Sequence, residues 1–138
     1  MPKQKDEEMQ KKYLELQIII QQINQIQQQF VNVQSQVAEL NNLKESVVSL
    51  KNIKPNTEFF SQIGYNIFTK AKTQDTNELL VNVGSNVFVI KTIEETNELV
   101  NLQIKQIEFI LRELEDKLNE LENAGQKIQS EILGMSNK

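Results

Sequence analysis

The chain has 138 residues, of which 38% are hydrophobic, 25% charged and 6% aromatic, which suggests one domain with too few large side chains for a thick globular core. Its net charge of −4 argues against a general nucleic-acid binder, because contact with phosphates needs a basic face. Cysteine and histidine are both absent, which excludes disulfides, thiolate metal sites, thiol nucleophiles and most catalytic triads. The sequence shows no secretory signal and no apolar run of membrane-spanning length, and its lack of cysteine is compatible with a cytoplasmic location.

The first part of the chain predicts a long helix over residues 5–52. Its apolar residues recur at steps of three and four, which is the pattern of a coiled-coil seam. Two extra three-residue steps, Leu16–Ile19 and Leu40–Leu43, predict local overwinding of the supercoil. The predicted seam consists of Met9, Tyr13, Leu16, Ile19, Ile23, Ile26, Phe30, Val33, Val37, Leu40, Leu43, Val47 and Leu50.

Glutamine and asparagine, rather than charged residues, flank this seam. Runs of that composition also occur in disordered tracts, but the regular apolar spacing favours a helix. Lys54-Pro55-Asn56 predicts the end of the helix, because proline disfavours helical backbone at the residue before it.

The pattern then changes to short runs rich in β-branched and aromatic residues, which predicts two β-hairpins over residues 57–91. Turn-forming residues separate the runs at Gly64, at 74–77 and at 84–86. The last two strands are apolar on both faces, and an isolated hairpin cannot cover both of them. We therefore expect packing against other subunits, through an interface of Ile67, Phe68, Leu80, Val81, Val83, Val87, Phe88, Val89 and Ile90.

The last part of the chain predicts a second helix over residues 93–134. Thr92 followed three residues later by Glu95 is a capping box, which favours a helix start at this point. The apolar spacing alternates four and three without interruption. The predicted seam consists of Val100, Ile104, Ile107, Leu111, Leu114, Leu118, Leu121, Gly125, Ile128, Ile132 and Met135.

Two helices of similar length joined by hairpins predict an antiparallel coiled coil with both chain ends at one tip. Several apolar residues near that tip lie off the seam, among them Leu14, Ile18 and Leu133. They are either ordinary scattered surface residues or a surface that grips apolar segments of other proteins. The candidate client-binding tip consists of Met9, Tyr13, Leu14, Ile18, Ile20, Leu121, Ile128, Ile132, Leu133 and Met135.

Catalytic chemistry finds little support in the sequence. The carboxylate pairs Glu94/Glu95 and Glu115/Asp116 fit a capping box and a solvated helix face better than acid–base catalysis. Asp75 beside Asn77 fits a turn better than a metal site, because the other oxygen ligands of a calcium loop are missing. No phosphate-binding loop is present. We therefore expect no enzymatic activity, no cofactor and no metal.

The central residues carry a specific resemblance. They are Ile63-Gly64, Ile67 to Lys72, Asp75-Thr76, Leu80 to Ser85, Val87, Val89, Lys91 and Ile93-Glu94-Glu95. With a helix on either side, this stretch resembles the prefoldin family, and its two hairpins resemble the alpha-type subunits. The resemblance implies a single prefoldin-like domain over 1–138, mainly α-helical with a small β region.

The resemblance also implies a function and partners. It implies a hetero-hexamer with beta-type prefoldin subunits, two alpha and four beta, whose hairpins form a β-barrel platform. The tips of the coiled coils would hold non-native client proteins and pass them to a group II chaperonin without ATP, with no nucleic acid or membrane involved. The alternative from another class is a structural coiled-coil adaptor or assembly subunit that binds no client.

Overall fold

The computed structural model describes residues 2–137. Helix α1 spans Pro2–Ser49 and continues as a 3₁₀ turn, Leu50–Asn52. Four strands follow, β1 (Glu58–Gly64), β2 (Ile67–Lys72), β3 (Leu79–Gly84) and β4 (Val87–Lys91), and helix α2 spans Ile93–Ser136. The order helix, two hairpins, helix is therefore confirmed. Neither helix contains, among the described residues, a segment that is long and apolar enough to cross a membrane.

The chain divides into two compact units. Among the described residues, 2–36 and 107–137 form the helical unit, and 37–106 form the hairpin unit, so that each long helix contributes to both. Within the helical unit the helices run antiparallel. Lys12 on α1 pairs with Glu131 on α2. Further along α1, Ile19 lies beside Gly125, where an added Cβ would be 3.5 Å from Cγ2 of Ile19. The contacts on α2 thus move towards its N-terminus as those on α1 move towards its C-terminus.

The seam of α1 differs from its prediction at two positions. Tyr13 is 51% exposed and Leu43 is 46% exposed, whereas Lys12 and Lys44 are half-buried in their places. The steps between seam residues then alternate four and three from Lys5 to Val47, so the overwinding predicted at Leu16–Ile19 and Leu40–Leu43 was wrong. A lysine can occupy a seam position because its aliphatic stem packs while its ammonium group reaches a polar partner or water. The buried and half-buried seam residues are Lys5, Met9, Lys12, Leu16, Ile19, Ile23, Ile26, Phe30, Val33, Val37, Leu40, Lys44, Val47 and Leu50.

The seam of α2 and its start follow the predictions. Every predicted seam residue of α2 is buried or half-buried, and Val100 and Ile132 are only 4% and 6% exposed. The N–H of Glu95 donates to Oγ1 of Thr92 at 3.1 Å, and the N–H of Thr92 donates to Oε1 of Glu95 at 3.4 Å. This reciprocal pair confirms the capping box and begins the helix at the residue after Thr92.

The two hairpins are antiparallel two-stranded pairs, β1 with β2 and β3 with β4. The second turn places Ser85 and Asn86 at φ 51° and 59°, the positive values that a two-residue type I′ turn requires. Gly84 precedes them at φ 126°, a conformation that favours glycine, and the strand register shifts there. Turn chemistry rather than packing therefore sets where this hairpin reverses.

Threonine side chains close the base of the first hairpin. The hydroxyl groups of Thr57 and Thr73 both donate to the carbonyl of Lys54, at 2.6 Å and 3.0 Å. The N–H of Thr73 donates to the carbonyl of Thr57 at 3.0 Å. The connection that follows contains the Asp75 side chain, whose Oδ1 accepts a hydrogen bond from the N–H of Asn77 at 2.8 Å. Asp75 thus makes an Asx turn, as its sequence context predicts.

Candidate functional site

The first candidate surface is the hairpin surface, defined as the nine predicted interface residues of β2, β3 and β4. Eight of them are exposed and Val81 is half-buried. Along β4 the exposed fractions are 53% for Val87, 55% for Phe88, 40% for Val89 and 63% for Ile90. Since successive side chains of a strand point to opposite faces, both faces of this hairpin are apolar and open in the single chain.

Sequence reasoning missed part of this surface on the first hairpin. Phe59, Phe60, Ile63 and Tyr65 are all exposed, and Tyr65 in the turn keeps 89% of its surface. The signal was available, because the adjacent Phe59 and Phe60 must point to opposite faces of β1, as Val87 and Phe88 do on β4. Both hairpins thus present apolar side chains on two faces.

The hairpin unit also contains an apolar groove of about 400 Å³. It lies between the end of α1, strand β3 and the start of α2. Its lining residues are Leu43, Val47, Leu50, Leu79, Leu80, Val81, Asn82, Thr96, Leu99, Val100 and Gln103. None of these residues carries an ionisable side chain, so the groove offers van der Waals contact and hydrogen bonds but no acid–base group.

The second candidate surface is the tip surface, defined as the ten predicted client-binding residues, all of which belong to the helical unit. Tyr13, Leu14, Ile18, Ile20 and Leu133 are exposed, with fractions from 47% for Ile18 to 62% for Leu133. Met9, Leu121, Ile128 and Met135 are half-buried, and Ile132 is buried. Half of the predicted set is therefore accessible in the closed helix pair, and the rest belongs to the seam.

An ion pair that the sequence did not predict lies among these residues. The Nζ of Lys12 donates a hydrogen bond to Oε2 of Glu131 across the seam. This bond, with the neighbouring carboxylates, raises the pKa of Lys12, and the same bond lowers the pKa of Glu131. Both groups are therefore held in their charged forms around neutral pH. Pairing across helices has no periodic signature, because only the antiparallel register brings the two residues together.

The carboxylate pairs considered as catalytic candidates have structural surroundings instead. Glu95 is part of the capping box, and Glu94 is exposed beside it in the first turn of α2. Glu115 and Asp116 are exposed on the helix surface. Within residues 2–137, no three carboxylates come close enough together to hold a metal ion.

The chain is a mainly helical scaffold with a small β region: two long helices are joined by two β-hairpins, and apolar residues lie on both faces of the hairpins. Residues 19–138 match the sequence profile of the family described as prefoldin subunit, so the chain belongs to the prefoldin family. Prefoldins are chaperone subunits rather than enzymes, and they form oligomeric complexes with other prefoldin subunits. The resemblance seen in the central residues is thereby confirmed at the level of the family.

Solved structures give a second comparison. A filamentous prefoldin from Methanocaldococcus jannaschii, determined by cryo-electron microscopy, superposes with a TM-score of 0.74 at 20% identity. The superposition covers 84% of this chain and 96% of that chain, which establishes the shared fold. No match was found among curated protein sequences.

Proposed function

We propose that this protein is an alpha-type prefoldin subunit that holds non-native proteins without ATP and delivers them to a group II chaperonin in the cytosol. In this proposal residues 1–138 act as a single prefoldin-like domain. The tip surface binds the client, and the hairpin surface joins the subunit to its partners. The presence of two hairpins supports the alpha type. In the family that this sequence resembles, beta-type subunits have one hairpin.

Client binding is supported by the exposed half of the tip surface. Leu14, Ile18 and Leu133 are large apolar side chains that keep 59%, 47% and 62% of their surface in water. Burial of one such side chain against an apolar client segment contributes about 1.5–3 kcal/mol before ordering costs. Single contacts of this size are weak, but several subunits that act together raise the overall affinity through avidity.

Suppression of aggregation tests this proposal. A chemically denatured client is diluted into buffer with the assembled complex and without ATP, and light scattering is followed. The variant Leu14→Gln/Ile18→Gln/Leu133→Gln should lose most of the suppression seen with the unchanged protein. The matched control is Val31→Gln/Phe109→Gln/Ile110→Gln, which removes three equally exposed apolar side chains from the same unit outside the tip surface. Equal losses in the two variants would contradict a role for the tip surface.

Assembly through the hairpin surface is supported by its two apolar faces, which a single chain leaves open. We propose a hetero-hexamer of two copies of this alpha-type chain and four beta-type subunits, with the hairpins combined into a β-barrel platform. Native mass spectrometry of the chain, alone and with a beta-type prefoldin, measures the stoichiometry directly. A complex of any other composition would contradict the hexamer, while leaving the client-binding test intact.

A second candidate function is that of a structural assembly subunit that binds no client. The observation that favours it is the shared fold with a prefoldin described as filamentous, over 96% of that chain. It predicts long homopolymers of the purified chain in negative-stain images and no effect on client aggregation. The two candidates differ in the scattering experiment above, since only the holdase slows aggregation.

A further inference from the structure

The helical unit contains an ion pair at a place in its seam where apolar contact is the rule. Lys12 occupies the seam position between Met9 and Leu16, and Glu131 precedes the buried Ile132. The lysine Nζ donates a hydrogen bond to the glutamate Oε2, and 29% of the Lys12 side-chain surface and 40% of the Glu131 side-chain surface remain exposed. The pair is thus partly withdrawn from water but still reachable by it, so its strength depends on salt and on pH.

Other charged groups surround each member of the pair. On α1, Glu8 and Glu15 lie four residues before and three residues after Lys12, and both contribute to its raised pKa. On α2, Lys127 lies four residues before Glu131 and contributes to its lowered pKa. Residues at these spacings are neighbours on one helix face. When the helices part, Lys12 therefore keeps Glu8 and Glu15, and Glu131 keeps Lys127, so neither charge is left without an opposite charge beside it.

A charged pair at this position has two physical consequences. A polar residue in a coiled-coil seam fixes the alignment of the helices and lowers their stability relative to an apolar residue. Lys12 can reach Glu131 in only one antiparallel alignment, because a shift by one turn would remove the carboxylate from its reach. The same position filled by a methionine would continue the apolar seam from Met9 to Leu16.

We propose that Lys12 and Glu131 are positioning residues for client binding: their ion pair sets the alignment of the helix ends and, by opening reversibly, exposes the seam side chains of the tip surface to an unfolded, apolar polypeptide segment. The side chains that become available are Met9, Ile128, Ile132 and Met135, which are buried or half-buried in the closed pair. The inference has two halves: the alignment half states that the ion pair sets the alignment of the helix ends, and the access half states that its opening gives a client access to the seam. The access half rests on the proposed holdase function. The alignment half does not.

Hydrogen exchange of the assembled protein at neutral pH tests the alignment half without any client. In Glu131→Gln, amide protection over residues 5–20 should fall about two- to fivefold, the range expected for a partly exposed ion pair. The double variant Lys12→Glu/Glu131→Lys restores the pair in reverse and should regain part of the protection lost in Glu131→Gln, because the new carboxylate lies beside Glu8 and Glu15 and the new ammonium group beside Lys127. Protection in Lys12→Met should rise above that of the unchanged protein, because the apolar seam becomes continuous. The control Lys11→Met removes the same charge from an exposed neighbouring position and should leave protection unchanged.

Client capture tests the access half with the same variants. The rate at which a denatured client is captured should rise in Glu131→Gln and fall in Lys12→Met, opposite to the order of their stabilities. A variant series that changes protection but not capture would overturn the access half. Unchanged protection in Glu131→Gln would overturn the inference as a whole. If the unchanged protein captures no client at all, the holdase function fails, and the exchange results still decide the alignment half.

Discussion

The helix seams and the β-hairpins of this protein differ in how far their apolar residues are covered. In the helical unit the seam residues of α1 and α2 are covered, as at Ile26, which is 7% exposed. In the hairpin unit Phe60, Leu80 and Ile90 each keep more than 60% of their surface in water, although they lie in regular strands. The seam residues of the two helices cover one another, whereas the exposed residues of the hairpins need surface from elsewhere. The contrast separates residues that hold the chain together from residues that suit contact with other chains.

The largest expected effect comes from a charge placed on the hairpin surface. Val87→Asp or Phe88→Asp would bury an unpaired carboxylate wherever this surface is covered in the assembly. We expect the oligomer to dissociate while the helical circular dichroism signal is retained, as measured by light scattering and by spectroscopy on the same sample. The control Asn119→Asp adds the same charge at an exposed position of α2 outside the hairpin surface and should leave the oligomer intact. An unchanged oligomer mass in Val87→Asp would refute an interface at β4.

The next largest effect separates a covered seam residue from an exposed one. Ile26→Ala should lower the free energy of unfolding by about 2–5 kcal/mol, because it leaves a cavity between the helices. Leu14→Ala removes a side chain of the same size that is 59% exposed, and we expect a change within about 0.5 kcal/mol. Thermal denaturation of the two variants measures the difference. Equal destabilisation would mean that Leu14 is covered in the assembled protein.

The sequence predicted the fold wherever periodicity or local chemistry decides it. The α2 seam, the capping box at Thr92 and the turn at Ser85 and Asn86 depend on residues close in the chain, and each prediction agrees with the structure. The α1 seam was assigned wrongly at Tyr13 because an apolar residue was preferred to a lysine. An unbroken alternation of four and three would have placed Lys12 in the seam. Its partner Glu131 could not be predicted, because a contact between distant residues leaves no periodic trace.

A smaller effect concerns Gly125, which interrupts the apolar chemistry of the α2 seam. A Cβ at this position would meet Cγ2 of Ile19 at 3.5 Å and Cδ1 of Leu16 at 3.9 Å, both ordinary contacts. Gly125→Ala should therefore stabilise the protein by about 0.5–1 kcal/mol, because alanine favours helical backbone. Gly134→Ala, where a Cβ meets nothing within 4 Å, is the control for the propensity effect alone. A loss of stability in Gly125→Ala would show that the helices cannot accept even one methyl group there.

The smallest effect is the pH dependence of the ion pair. The folded-state pKa of Glu131 is lowered, so its contribution to stability is present above the ordinary glutamate pKa of about 4.3 and is lost as the pH falls through the folded value. The pKa of Lys12 is raised, so its contribution is lost only as the pH rises above the ordinary lysine range. The melting temperature of Glu131→Gln should therefore approach that of the unchanged protein on acidification below about pH 4. A difference that stays constant from pH 7 to pH 3 would exclude this contribution.

The antiparallel contact between Lys12 and Glu131 also bears on how the protein is made. The two residues are 119 positions apart, whereas the first hairpin pairs Glu58 with Lys72. At about 5–20 residues per second, a ribosome needs roughly 6–24 s to add Glu131 after Lys12. During that time the part of the α1 seam around Lys12 lacks its partner on α2, while the hairpins can already pair. Each newly synthesised copy of this prefoldin subunit thus passes through an interval in which it presents the kind of unpaired apolar segment that we propose it binds in other proteins.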